Sequence, residues 1–304
     1  MKSFTHFSRK EWASLNPNLN INVSHEELEK INSHGDVLSI KDVRQVYESL
    51  VAYIGVVFKQ SKEKEKKKAD FLKRPISKRP FIIGISGSVS VGKSTTSRLL
   101  RLLLQRTYPE LKIQRMTTDG FLYTNNELKA KNLMSRKGFP ESYNMQRLND
   151  FLTDVVRGKE DIVYPLYSQG ISDIVPDEFG HVLSPDILII EGINTLQLPP
   201  NGTIVSSDFY DLSIYLDADE ELIESWFLSR FKELMEQNKD NPDNYYYHWA
   251  NSDRTKAINA AKEVWQSVNL VNLREFIAPT KARANVVLHK TKGHHIDSVY
   301  LRCY

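Results

Sequence analysis

A chain of 304 residues with 40% hydrophobic and 26% charged residues is long enough to bury a substantial core and has the composition of an ordinary globular protein. Its formal net charge of +3 is small for that length, which argues against a nucleic-acid or membrane-surface partner held by bulk charge. No stretch approaches the length of a membrane span, Met1 to Glu11 has no apolar signal-type run, and the lone Cys303 has no internal partner, so a cytoplasmic protein without span or disulfide is expected.

In chain order, the first features are three helix starts with capping-box spacing: Ser8 with Glu11, Ser24 with Glu27, and Ser39 with Asp42. After Ser39, Val43, Val46, Leu50, Tyr53, Ile54 and Val57 recur at helical spacing and predict an apolar face laid on the core or on another subunit. Lys59 to Arg79 is dense in Lys and Arg. The interspersed Glu63, Glu65 and Asp70 favour a solvated helix end or mobile linker over an anion-binding surface. Residues 1–79 thus read as a helical extension and basic linker packing on a core of residues 80–304, one structural domain overall.

The core opens on the apolar run Phe81 to Ile85, which leads into Gly87, Ser88, Val89, Ser90, Val91, Gly92, Lys93 and Ser94, a complete G-x-x-x-x-G-K-S loop, with Thr95 starting a helix to Leu104. Gly87 and Gly92 let backbone N–H groups turn inward as an anion nest, and the helix adds the positive end of its dipole. Lys93 can reach the β- and γ-phosphates of a nucleoside triphosphate, and the Ser94 hydroxyl can ligate magnesium. Further strand-like runs, Ile113 to Thr117, Asp186 to Ile190, Leu212 to Leu216 and Val286 to His289, alternate with helical patterns. That alternation predicts an α/β fold, a P-loop NTPase-type doubly wound, mostly parallel sheet flanked by helices, with a helical lid and substrate region. Ligands of such sheets gather at the carboxyl ends of strands, where Asp119, Glu191 and Asp217 fall.

Asp119 is a candidate general base, able to accept the proton of an incoming hydroxyl; the competing reading is an Asp-Gly turn that merely ends a strand. Glu191 is a candidate magnesium residue, or else a helix-start carboxylate. Arg230, on a long amphipathic helix from Asp219 to Gln237, either clamps migrating phosphate charge or snorkels. Tyr245 to Trp249 reads first as a helix packed on the core. Asn269 interrupts an apolar stripe running from Ile258 through Val264 and Val268 and needs a polar partner. His248, His294 and His295 lack metal-ligand spacing. Asp177-Glu178-Phe179-Gly180 has the form of a GTPase switch, but Pro176 precedes it and Asn238-Lys239-Asp240-Asn241 lacks the aspartate that guanine recognition requires.

Gly87 to Thr96, Thr117-Thr118-Asp119-Gly120-Phe121-Leu122, Lys137 to Tyr143, Pro185 to Gly192 and Ser207-Asp208-Phe209 together resemble the type I, prokaryotic-type pantothenate kinases, over nearly the whole chain. The resemblance implies a homodimer that moves the γ-phosphate of ATP to the primary hydroxyl of pantothenate, the first step of coenzyme A biosynthesis. It implies Lys93 and Ser94 on phosphate and Mg2+, Asp119 as base, Arg230 on the transferred group, and Tyr167 and Asn269 on pantothenate. Uridine kinase and phosphoribulokinase share the same core, so the loop alone does not separate them. Gln169 stands where the family commonly has His, Ser172 where it has Tyr, Phe227 where a Tyr contacts pantothenate, and Leu234 where a Phe lines the pantetheine pocket. These departures bear on substrate affinity at positions such as Gln169 and Phe227, and on feedback inhibition by coenzyme A.

Overall fold

The computed structural model describes residues 3–32, 38–197 and 205–303. Nine strands are described: β1 Phe4–Ser8, β2 Phe81–Gly87, β3 Ile113–Thr117, β4 Ile162–Ser168, β5 Asp173–Val182, β6 Ile187–Glu191, β7 Leu212–Ala218, β8 Val286–Lys290 and β9 Ile296–Arg302. The α-helices are α1 Arg9–Ser14, α2 His25–Ile31, α3 Ile40–Asp42, α4 Glu48–Leu72, α5 Lys93–Thr107, α6 Asn125–Ala130, α7 Met145–Val156, α8 Glu220–Gln237, α9 Tyr245–Ala250, α10 Arg254–Val264 and α11 Leu270–Asn272.

Seven strands form one sheet in the order β1-β9-β8-β7-β2-β6-β3. The five from β8 to β3 run parallel, and β9 and β1 add antiparallel pairings at one edge. Every residue of β2 and β6 is buried, as central strands covered on both faces require. The β2–β3 crossover passes over the place later taken by β6, so the chain reverses direction across the sheet beside β2. That reversal opens a crevice at the carboxyl ends of β2, β3 and β6.

All three expected capping boxes form, at Ser8, Ser24 and Ser39. The N-terminal segment is not purely helical, however, because β1 precedes α1 and pairs with β9. Five residues with no alternation in burial give too short and irregular a pattern to announce a strand. Of the predicted apolar face beyond Ser39, Val43, Val46, Leu50 and Ile54 are buried with β2 and α5 residues in a core cluster that Tyr47 and Val51 also join, while Tyr53 and Val57 pack against it partly buried. Trp12 joins that core and donates from Nε1 to the Val46 carbonyl at 3.0 Å. The Tyr47 hydroxyl lies 3.3 Å from the Thr96 hydroxyl, tying the N-terminal region to α5.

The basic run is a solvated helix end: α4 continues through it to Leu72 and stops at Lys73, whose φ of 49° is left-handed. The segment behind it is anchored rather than loose. Asp211 accepts from the Arg79 guanidinium at 2.8 Å, the Ile82 N–H at 2.9 Å and the Ser61 hydroxyl at 3.0 Å, fastening the approach to β2.

The apolar stripe around Asn269 is displaced from the expected one. The buried residues are Ala257, Ala261, Trp265, Leu273 and Ile277, and Val264 is exposed. Two π-turns, Trp265–Asn269 and Leu273–Ile277, each insert an extra residue and rotate the face, which a constant 3.6-residue period does not anticipate. Tyr245 to Trp249 forms α9, and its Tyr246 and Trp249 pack on Phe231 of α8 with ring centroids 5.9 and 6.3 Å apart.

Candidate active site

The loop between β2 and α5 takes the backbone conformations that its glycines permit. Gly87 has φ 147° and Gly92 φ 90°, and Ser90 is also left-handed at 55°. A Cβ on Gly87 would stand 2.6 Å from the Leu216 carbonyl of β7, so close strand packing as well as the turn demands glycine there. The Lys93 ammonium donates to the Ser88 carbonyl at 2.6 Å, folded back across the loop. The Ser88 hydroxyl is buried with no hydrogen-bond partner among the described residues. Such an atom at the second position of an anion nest fits a phosphate acceptor.

Ser94 opens α5 and its hydroxyl donates to Glu191 Oε1 at 2.7 Å. Glu191 is the last residue of β6 and 6% exposed, followed by a turn; it does not start a helix. A hydroxyl and a carboxylate oxygen in contact beside the nest form the hard-oxygen donor set that suits Mg2+.

Asp119 follows β3 in a short 3-10 turn, where its N–H donates to the Thr117 hydroxyl at 3.2 Å. The glycine after it is not there for a left-handed turn. A Cβ on Gly120 would lie 2.0 Å from the carbonyl oxygen of Pro165, so Gly120 lets β4 press against the strand end. Gly192 does the same beside Glu191, where a Cβ would meet the Thr118 hydroxyl at 1.9 Å. Gly120→Ala is therefore expected to lower stability by at least about 1–3 kcal/mol through overpacking, read as a drop in Tm. An unchanged Tm would show that β4 yields freely.

Burial and the neighbouring Glu191 charge push the Asp119 carboxyl up to about 6, against the opposing pull of Lys93, Arg230 and a hydrogen bond from the Tyr143 hydroxyl. Tyr143 is buried, and burial beside Asp119 holds its own phenol well above the usual range. Lys137 is pushed down by burial, opposed by Asp173 and Asp119; its ammonium donates to Asn125 Oδ1 at 2.8 Å and to the Ser172 carbonyl. The same ammonium lies 5.3 Å from the centre of the Tyr167 ring.

These groups border a cleft of about 600 Å³ lined by Ser94, Arg98, Asp119, Tyr167, Glu191 and Arg230, with Gln169, Lys30, Asn32, Arg115 and Thr117 completing it. Arg230 of α8 reaches across to donate to Gln169 Oε1, so it does not simply snorkel. Phe227 and Asn269 do not line the cleft. Phe227 lies against Trp265 with ring centroids 5.8 Å apart, and Asn269 sits in the first π-turn, one turn before Asn272, whose amide donates to the Gly138 carbonyl at 2.8 Å. Asp217 lies inside β7 and is paired with Lys281 at 2.9 Å, away from the cleft lining. His294 stacks on Trp226 at 3.8 Å, and His295 faces Asp42 at 3.4 Å. Among the described residues no three His, Cys, Asp or Glu side chains cluster to hold a metal.

Reasoning from residue types gave no role to Tyr143, Lys137, Lys30 or Arg115. Lys137 and Tyr143 stood in the sequence only as markers of a resemblance, and the alternation of β3 does not reveal that Arg115 borders the cleft.

The model of the phosphoribulokinase / uridine kinase family matches residues 82–234. The chain is 49% identical over 302 residues to a pantothenate kinase of Levilactobacillus brevis, covering 99% of this chain and 98% of that one. It is 47% identical over 297 residues to a pantothenate kinase of Enterococcus faecalis, covering 98% and 97%. The chain belongs to the pantothenate kinase family. Likeness to the pantothenate kinases extends well beyond the residues matched by the broader family, taking in the N-terminal helices and the π-turn region. Among solved structures, a D-glycerate 3-kinase from Cryptococcus neoformans superposes with a TM-score of 0.53 at 13% identity, covering 81% of this chain and 97% of that one, a likeness of fold alone.

Proposed function

We propose that this protein transfers the γ-phosphoryl group of ATP to the primary hydroxyl of pantothenate, giving 4'-phosphopantothenate for coenzyme A biosynthesis. The observation that carries the reading is the convergence of the Ser94–Glu191 contact, Asp119 and Arg230 on one cleft at the carboxyl ends of β2, β3 and β6. The backbone nest from Gly87 to Thr95 holds the phosphates, and Lys93 swings from the Ser88 carbonyl onto the β- and γ-oxygens. Ser94 and Glu191 would hold Mg2+, which supplies charge neutralisation on those oxygens when bound.

Asp119 accepts the proton of the pantothenate hydroxyl and turns its oxygen toward the γ-phosphorus. The elevated affinity of its carboxyl for protons makes it a stronger base than a solvent-exposed aspartate. Arg230 leaves neutral Gln169 for the migrating phosphoryl group. Tyr167 and Gln169 contact the acceptor from β4 and the loop after it, whereas Phe227 and Asn269 lie outside the cleft lining and are given no contact to it. A coupled ADP-release assay with pantothenate, uridine and ribulose 5-phosphate tests the reading, and a preference for either alternative acceptor would replace it with the uridine kinase or phosphoribulokinase one.

A homodimer in the cytoplasm completes the proposal. The exposed Val56, Phe71 and Leu72 of α4 are apolar surface that a second copy would cover, and sedimentation at assay concentration checks it. No described helix is long and apolar enough to cross a membrane.

Coenzyme A is proposed as a weakened feedback inhibitor that competes with ATP in this cleft, where Arg98 and Gln169 both stand. An amide at position 169 cannot carry charge toward a phosphate, whereas an imidazole can. Gln169→His is expected to tighten coenzyme A inhibition roughly three- to tenfold, a modest charge-assisted gain at an exposed site. Inhibition constants measured at fixed ATP decide it, and equal constants would defeat the idea while leaving the kinase reading untouched.

A further inference from the structure

Lys290 is the last residue of β8, and its side chain is 2% exposed, an unusual place for a lysine. Its ammonium donates to the Val91 carbonyl at 2.8 Å. Val91 belongs to the phosphate loop and is itself fully buried, immediately before Gly92, the left-handed residue that caps α5. In the sheet, β8 lies beyond β7 on one side of β2, whereas β6 and β3, which deliver Glu191 and Asp119, lie on the other. Lys290 does not line the cleft; it meets the loop from the side opposite the reacting groups.

Peptide planarity converts that contact into a consequence for ligand binding. In a trans peptide the carbonyl and the following N–H point in opposite directions. A Val91 carbonyl held toward β8 leaves the Gly92 N–H pointing the other way, toward the nest. The flexible glycine otherwise lets this peptide flip, which would aim a carbonyl oxygen at incoming phosphates. A buried ammonium is costly to desolvate and is best retained where it satisfies such an acceptor.

We propose that Lys290 is a positioning residue for nucleotide binding, which locks the Val91–Gly92 peptide in the orientation that presents the Gly92 N–H to phosphate. The inference rests on the nucleotide half of the proposed function and is independent of which acceptor is phosphorylated.

Titration calorimetry with MgADP on the full-length protein, paired with steady-state kinetics, tests it. Lys290→Met should weaken ADP binding and raise the KM for ATP about tenfold or more, with the pantothenate KM little changed. Lys290→Gln, which keeps a donor, should recover part of the loss, and it also serves as the deciding variant if the Met form does not fold. Wild-type ADP affinity in both variants would overturn the proposal, as would an equal rise in both KM values, which marks general loosening. Failure of the wild-type protein itself to bind ADP would instead overturn the nucleotide reading beneath it.

Discussion

Replacing Lys93 with alanine lowers turnover by a factor on the order of a thousand or more, by the usual worth of a preorganised cation at a phosphoryl-transfer site. The ammonium already rests on the Ser88 carbonyl at the rim of the nest, so its route to the β- and γ-oxygens is a short swing within one loop. Its loss removes the charge that grows in importance as the γ-phosphoryl leaves. The backbone donors remain, so ATP affinity should fall much less than kcat. Thermal unfolding should change little, because the side chain is half-buried and its bond to the Ser88 carbonyl lies within the loop. More than a tenth of wild-type activity in this variant would refute the assignment of the loop.

Asp119→Asn is the second large effect, and it separates chemistry from stability. The amide keeps the size of the side chain but cannot take a proton, so kcat should fall by roughly 10²–10⁴ with a smaller change in KM. A variant altered only in KM would mean that Asp119 positions the acceptor without acting as base. The wild-type acid limb of kcat/KM should fall near pH 6, because the protonated carboxyl below that pH cannot accept a second proton. The stability effect has the opposite sign. With the folded-state affinity for protons raised above that of the unfolded chain, the fold gains stability as pH drops from about 6 toward the ordinary carboxylate range, and above that window the ionised carboxylate is a cost. Removing the charge should therefore raise Tm at neutral pH even as activity collapses. A lower Tm would show that the carboxylate is stabilised where it lies.

The phosphate-loop side of the cleft is legible in the sequence because its signals are local. The strand before the phosphate loop, the loop glycines and the strand-end acids Asp119 and Glu191 each declare themselves within ten residues, and the central strands are continuous apolar runs, whereas Asp217, which reads the same way, lies inside β7. The acceptor half is less legible for reasons that can be named. β4 and β5 form a separate two-stranded unit in which Ile162, Pro165 and Val182 are buried and the rest are half-buried or exposed, and Pro165 and Pro176 interrupt their pattern. The π-turns rotate the Trp265 helix face off the regular period. Gly120 reads as a turn residue, yet it and Gly192 are required by atoms of Pro165 and Thr118 distant in sequence, which no local pattern carries. Tyr143, which hydrogen-bonds Asp119, is held beside that turn where Leu122 and Tyr143 form an isolated bridge.

The pairing of β1 with β9 has a bearing on how the chain comes off the ribosome. Phe4 lies opposite Arg302 and Ser8 opposite Ser298, so the first of the described strands to be made waits for the last of them. β2, β3, β6 and β7 can assemble beforehand, but until β9 emerges the free edge of β8 and the partnerless β1 are both exposed templates for wrong pairing. Nascent chains should therefore acquire the protease resistance of the central sheet well before that of β1. The interval before β9 emerges is when this protein stands to gain most from chaperone cover.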